Sequence, residues 1–187
     1  MEVLVGEYGY GSTTVPLVIK AAHVSTATFY RFFSDKVECF IALCEERGEH
    51  LLAALSPNRD DERALGASER LDRGIDAYLS WWQDNPAMAR AYFVELPAAG
   101  PRAIAERERQ YERFAALNRS IATSNREDTT GAPEPPDIDV RASVIVTTEL
   151  IALEIRRGHV DRLTELHDDV RRLLLKLLGP DPIELER

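Results

Sequence analysis

Residues 23–33, HVSTATFYRFF, set hydroxyl and methyl side chains beside a dense aromatic run. Ser25, Thr26 and Thr28 offer hydroxyls that both donate and accept hydrogen bonds, and Ala27 offers a bare methyl. At the start of a helix these side chains make a tip slim enough for a DNA major groove. There hydroxyls meet base edges and methyls meet the thymine methyl. Phe29, Phe32 and Phe33 fall near helical spacing and read as the plug that anchors the tip to its neighbours. Tyr30 projects differently and can donate its hydroxyl to a phosphate. Lys36 adds positive charge at the start of the next helix, whose N-terminus itself attracts phosphate.

The elements that must position this tip are all helices. The pattern predicts a short helix over 2–9, a GYGST turn, and a second helix over 14–21, capped by Thr13 or Thr14, with Pro16 in its first turn. A tight turn at 22–25 leads to a short helix over 26–32, so the unit is a helix-turn-helix. Ser34 is expected to cap a long helix over 35–55, with Asp35 near its positive end. Further helices are expected over 61–84, 86–96, 101–125, 138–157 and 160–178, the last two split by Gly158. Segment 125–139 is polar and Pro-rich and reads as a loop. The fold class is therefore all-α: a three-helix headpiece over 1–33 and a helical ligand-binding and dimerisation domain over 34–187.

Bulk properties set looser bounds. The 187 residues carry a net charge of −9, yet within 12–36 Lys20, Arg31 and Lys36 face only Asp35. The acid lies mostly elsewhere, which leaves a phosphate-contacting surface open in the headpiece. No apolar window is long enough to span a membrane and no secretory leader is visible, so the expectation is a cytoplasmic protein without membrane contact. Cys39 and Cys44 lie about 140° apart on a helix and read as free thiols. No metal-ligand spacing, nucleophile elbow or other catalytic set occurs, so neither metal, cofactor nor catalysis is expected. GEYGYGST spaces Gly6 and Gly11 like a phosphate loop, but Ser12 stands where the lysine belongs.

The stretch TTVPLVIKAAHVSTATFYRFFSDKVECF resembles the N-terminal signature of the tetracycline-repressor (TetR) family of bacterial regulators. The resemblance rests on Thr14–Val15, Val18–Ile19, Ala22, Val24–Ser25, Thr28–Phe29–Tyr30, Phe33 and Lys36. It implies a homodimeric regulator, acting as a repressor, that binds double-stranded DNA at a palindromic operator and releases it when a small molecule binds the C-terminal domain. Carried onto these positions, it implies DNA contacts from Thr14, Ser25, Thr26, Thr28, Tyr30 and Lys36, with Ala27 against a methyl. Three departures stand out. His23 replaces the turn glycine, Lys20 replaces an alanine, and the first helix is shorter than the family's usual one. That short helix leaves an alternative: a helical ligand-sensing dimer with weak or lost DNA binding.

Beyond residue 50 two sets of side chains stand out. Tyr78, Trp81, Trp82, Met88, Tyr92, Phe93, Tyr111 and Phe114 are candidates for an aromatic ligand pocket, with Tyr92, Tyr111 and Asn118 as polar tips. Such a pocket suits a small apolar or aromatic ligand. The helix over 138–157 is apolar nearly all round, so a two-fold copy is the cheapest cover for its second face. Val144, Thr148, Ile151, Ile155, Leu166, Val170, Leu173 and Leu177 are the candidate dimer positions.

Overall fold

A computed structural model describes residues 1–56, 65–129 and 134–179. The described residues form helices and no strand. Helix α1 (Glu2–Tyr8) ends at Gly9, whose φ of 81° is the left-handed conformation that favours glycine. Thr14 occupies the N-cap of α2 (Val15–Ala22), but its side chain makes no capping bond. Thr13 is instead fully buried and donates its hydroxyl to the Gly9 carbonyl at 2.9 Å. Helix α2 stops at His23, in the left-handed region at φ 54°, ψ 38°. Ser25 caps α3 (Thr26–Phe32), its Oγ accepting the Thr28 N–H at 3.0 Å.

The cap of α4 (Lys36–Leu55) differs from expectation. Asp35 fills it, accepting the Glu38 N–H at 2.7 Å, while Ser34 donates its N–H and hydroxyl back to the Glu38 carboxylate. Aspartate wins because its carboxylate also takes the Arg102 guanidinium at 2.7 Å.

His23 has a cost. A side chain in the left-handed region is strained relative to glycine by about 1–2 kcal/mol. Gly loses more backbone entropy on folding, which offsets part of that. His23→Gly is therefore expected to stabilise the fold by about 1 kcal/mol, a rise in melting temperature of roughly 2–4 °C. A lower melting temperature would show that the imidazole does more than fill the turn.

The body follows. Helix α5 (Ala67–Asp84) begins after Gly66; the 61–64 part of the expected helix lies outside the described residues. Helix α6 (Pro86–Arg90) widens into a π turn at Ala91–Glu95 and closes with a 3₁₀ turn at Leu96–Ala99. A single regular helix was expected over 86–96. The wide turn lets neighbours Tyr92 and Phe93 both reach Trp82, with ring centroids 5.4 and 4.6 Å away. Helix α7 (Pro101–Thr129) continues past the predicted end at 125. Helix α8 (Asp137–Arg156) ends ahead of Gly158, whose φ is 86°. The last segment is not one helix. A 3₁₀ stretch at Val160–Leu166 contains Arg162 at φ −123°, and only then does α9 (His167–Leu178) begin.

Two clusters hold this together. Val18, Phe29 and Cys39 form a headpiece core with Leu4, Val15, Ile19 and Phe33 around it, so the start of α4 packs with the headpiece. The main core includes Phe40, Leu51, Leu79, Met88, Leu96, Ile151 and Leu163. Cys39 and Cys44 are both free and buried, one in each cluster. Burial, with help from the Glu106 and Glu45 charges, pushes the Cys44 thiol up to about 12.

Candidate nucleic-acid interface and ligand cavity

The start of α3 presents what a groove-reading tip needs. Ser25, Thr26 and Ala27 are exposed and Thr28 is half-buried. Ser25 and Thr28 share a hydroxyl–hydroxyl bond of 2.8 Å, which sets both rotors in the capping turn and leaves Thr26 and Ala27 outermost. Tyr30 stands 55% exposed, and Thr14 is exposed at the start of α2. These six positions share one end of the headpiece.

Two expected roles do not fit. Phe32 is not part of the plug: it is 63% exposed, with the Arg31 guanidinium 4.8 Å from its ring centre. Phe29 is buried and Phe33 packs beside it at 5.5 Å, so two phenyl rings anchor α3 rather than three. The helix is only seven residues long, and 32 lies on a different face from 29 and 33. Lys36 is likewise turned inward. Its Nζ donates to the Tyr10 carbonyl at 2.8 Å and sits 3.9 Å above the Tyr10 ring, and partial burial lowers its pKa. It staples the α1–α2 turn to α4 instead of reaching toward phosphate. Lys20, in contrast, is exposed on the last turn of α2.

The headpiece is clasped to the body by residues that local patterns do not reveal. The Tyr10 N–H donates to Glu95 at 2.9 Å, Arg102 pairs with Asp35, and Arg47 pairs with Glu2 at 2.7 Å. The Tyr10–Glu95 partners lie 85 residues apart in sequence, and Arg102–Asp35 lie 67 apart, beyond any helical period. Gly6 was one visible signal. A Cβ there would stand 2.7 Å from both the Cα and the carbonyl oxygen of Ala87, so only glycine lets α1 lie on α6.

Behind the clasp, α5, α7, α8 and α9 enclose a cavity of about 110 Å³, partly open to solvent. Its walls are aliphatic, from Leu71, Ile75, Leu117, Ile121, Val144, Val170 and Leu174, with Leu55 reaching in from the last residue of α4. Of the eight aromatic and Met candidates only Tyr78 and Phe114 line it, their ring centroids 5.9 Å apart. Burial pushes the Tyr78 hydroxyl up to about 12, so it stays neutral. Trp82, Met88, Tyr92 and Phe93 are core side chains, fully enclosed by the body's own packing, and Trp81 stacks edge-on against Trp82 at 4.7 Å. Tyr111 packs beside Ala115, Val140 and Val144. Adjacent aromatic rings on α5 therefore signal a core rather than a pocket. Asn118 does line the cavity, joined by Ser143, Thr147 and Arg70 as the polar lining.

The candidate dimer positions need the same correction. Val144, Thr148, Ile151, Ile155 and Val170 are buried within the protomer, where α8 packs on α7 and α9. Leu166, Leu173 and Leu177 are half-buried. The second apolar face of α8 does exist, but it is formed by Ile138, Ile145 and Leu153, which are 70%, 54% and 37% exposed. Leu175 of α9 is exposed as well.

Residues 2–43 match the family model for bacterial regulatory proteins of the tetR family, a span that ends just beyond the start of α4. A Bacillus subtilis (strain 168) protein, the uncharacterized HTH-type transcriptional regulator YhgD, is 30% identical over 144 residues. That alignment covers 75% of this chain and 71% of the relative. Among solved structures, the fatty acid degradation regulator FadR from Bacillus halodurans superposes with a TM-score of 0.80 at 18% identity, covering 93% of this chain and 90% of that one. FadR from Bacillus subtilis, solved in complex with stearoyl-CoA, gives a TM-score of 0.76 at 19% identity, covering 96% and 95%. These likenesses extend the shared fold from the headpiece through the cavity-bearing body. With its exposed α3 tip, its left-handed turn at residue 23 and its matched N-terminal signature, the chain belongs to the tetR family of bacterial transcriptional regulators.

Proposed function

We propose that this regulator works as a homodimeric repressor whose hold on a palindromic operator is released when a small apolar molecule enters the body cavity. The carrying observation is the path of α4. It starts at the Asp35 cap against the headpiece and ends at Leu55 in the cavity wall. Its twenty residues make a rod of about 30 Å, long enough to transmit a displacement at one end to the other. Thr14, Ser25, Thr26, Ala27, Thr28 and Tyr30 are the proposed DNA contacts, with Lys36 in support as a staple. Residues 1–33 form the proposed DNA-reading unit and 34–187 the ligand and dimer unit, with the first turns of α4 shared between them. Ile138, Ile145 and Leu153 lie within about 80° of one another around α8 and are the proposed centre of the two-fold contact. A cytoplasmic site of action and the absence of a catalytic role follow from this reading. No helix among the described residues is long and apolar enough to cross a membrane.

Two recognition helices must sit about 34–36 Å apart to enter successive major grooves, so a few ångströms of splay break register. The solved neighbour that holds stearoyl-CoA supports a ligand with a long apolar part. The test is a fluorescence anisotropy titration of operator DNA with and without apolar ligands that raise the melting temperature. Operator affinity is expected to fall steeply when such a ligand is present, and to fall linearly with salt on a log–log scale in its absence. A ligand that stabilises the protein yet leaves operator affinity unchanged contradicts the proposed coupling.

A further inference from the structure

The cavity has a length, an orientation and one polar rung. Arg70 to Tyr78, Phe114 to Ala122 and Val170 to Leu178 each span eight residues of wall, about 12 Å of helix. The Tyr78–Phe114 ring contact and the bonds from Arg171 to Asp72 and Ser68 show how these helices run. Helices α7 and α9 are antiparallel to α5. Tyr78, Phe114 and Val170 therefore share one end, closed by the two rings. Arg70, Ala122 and Leu178 share the other, where α4 and α9 also end. The space is a sleeve with an aromatic floor and a mouth that carries a cation.

Asn118 stands midway along α7's wall, level with Gly74 and Leu174. Its presence there is unexplained by folding, since asparagine is a poor helix former and the surrounding wall is aliphatic. Its amide orientation is fixed by its neighbour. Ser143 is 1% exposed and donates its single hydroxyl proton to the Val140 carbonyl at 2.7 Å. It can therefore only accept from Asn118, whose Nδ2 lies 2.9 Å away. That leaves the Asn118 carbonyl oxygen and the second amide proton turned away from Ser143, and among the described residues the carbonyl oxygen has no protein donor. Thr147, one turn along the same wall of α8, has a buried hydroxyl that is also without a partner. Threonine has two accessible χ1 wells in a helix, so that hydroxyl can be turned to use.

Resting on the reading of this cavity as the ligand site, we propose that it selects an elongated apolar molecule bearing a hydroxyl, or another group able both to donate and to accept, midway along its length. Asn118, aimed by Ser143, is the residue that recognises it. A hydroxyl donates to the carbonyl oxygen or accepts from the free amide proton. A ligand with nothing but methylenes at that level desolvates both amide groups and returns nothing. Arg70 at the mouth favours a neutral or anionic head over a cationic one.

The probes are decanoic acid and 5-hydroxydecanoic acid, titrated into the full chain by calorimetry. Tryptophan fluorescence gives a second readout, since Tyr78 contacts Trp82 at 6.3 Å. The hydroxylated acid is expected to bind about tenfold more tightly. Asn118→Leu is expected to reverse the preference. Ser143→Ala, which adds no bulk, is expected to narrow it, with melting curves reporting the fold of each variant. Equal or weaker binding of the hydroxylated acid to the unmodified chain, no binding of either acid, or an unchanged preference in both variants overturns the proposal. Operator binding is measured in parallel. DNA binding without the hydroxyl preference sinks only this inference, and the preference without DNA binding sinks only the operator reading.

Discussion

A chain carrying Ala27→Glu is expected to fold as the parent does and to lose about 100-fold in operator affinity. Ala27 is exposed in the first turn of α3, so the longer side chain meets no neighbour in the free protein. In the complex it sets a carboxylate among phosphates and base acceptors, and such like-charge contacts cost several kcal/mol. Tyr30→Phe removes only a phosphate-reaching hydroxyl and is expected to weaken all sequences alike, by severalfold. Anisotropy titrations at fixed salt, with melting curves alongside, separate these outcomes. Full affinity in the glutamate variant would place the DNA elsewhere on the molecule.

The largest effect on stability is expected from Gly6→Val. The Cβ of any side chain at this position meets backbone atoms of Ala87 at 2.7 Å, and a backbone cannot swing aside as a side chain can. Helix α1 must then lift from α6. That costs about 3 kcal/mol of overpacking and strain, and it loosens the Tyr10–Glu95 and Arg47–Glu2 clasps nearby. Valine also adds a β-branched side chain to a seven-residue helix with little propensity to spare. Chemical denaturation should show the loss, and operator affinity should fall with it because α1 belongs to the headpiece core through Leu4. A variant as stable as the parent would mean that α1 is not held against α6 in solution.

The headpiece was legible in the sequence because its determinants are local. Ser25 capping α3, the left-handed residue at 23 and the Phe29 plug all act within about one helical turn of themselves. The same locality explains the misreadings. Lys36 looked available for phosphate because nothing in its neighbourhood shows that Tyr10 lies 26 residues away in sequence but 2.8 Å away in space. The cavity was legible only in part. Aromatic residues drew attention to α5 and α6, yet most of those rings fill the core, and the sleeve is built from aliphatic positions on four separate helices. Asn118 was flagged as a polar tip, but Ser143, which orients it, lies 25 residues further along. Helix α8 correctly announced two apolar faces. Which face the protomer keeps for itself depends on where α7 and α9 lie, and no period within α8 contains that.

The central claim is that the exposed tip of α3 reads duplex DNA in a two-fold arrangement. Selection of bound fragments from a random duplex pool, run in parallel with the parent chain and the Ala27→Glu variant, tests it most directly. The parent is expected to enrich an inverted repeat whose half-sites are centred about 10 base pairs or a multiple apart, and the variant is expected to enrich nothing. No enrichment by the parent, or the same motif from both proteins, contradicts it.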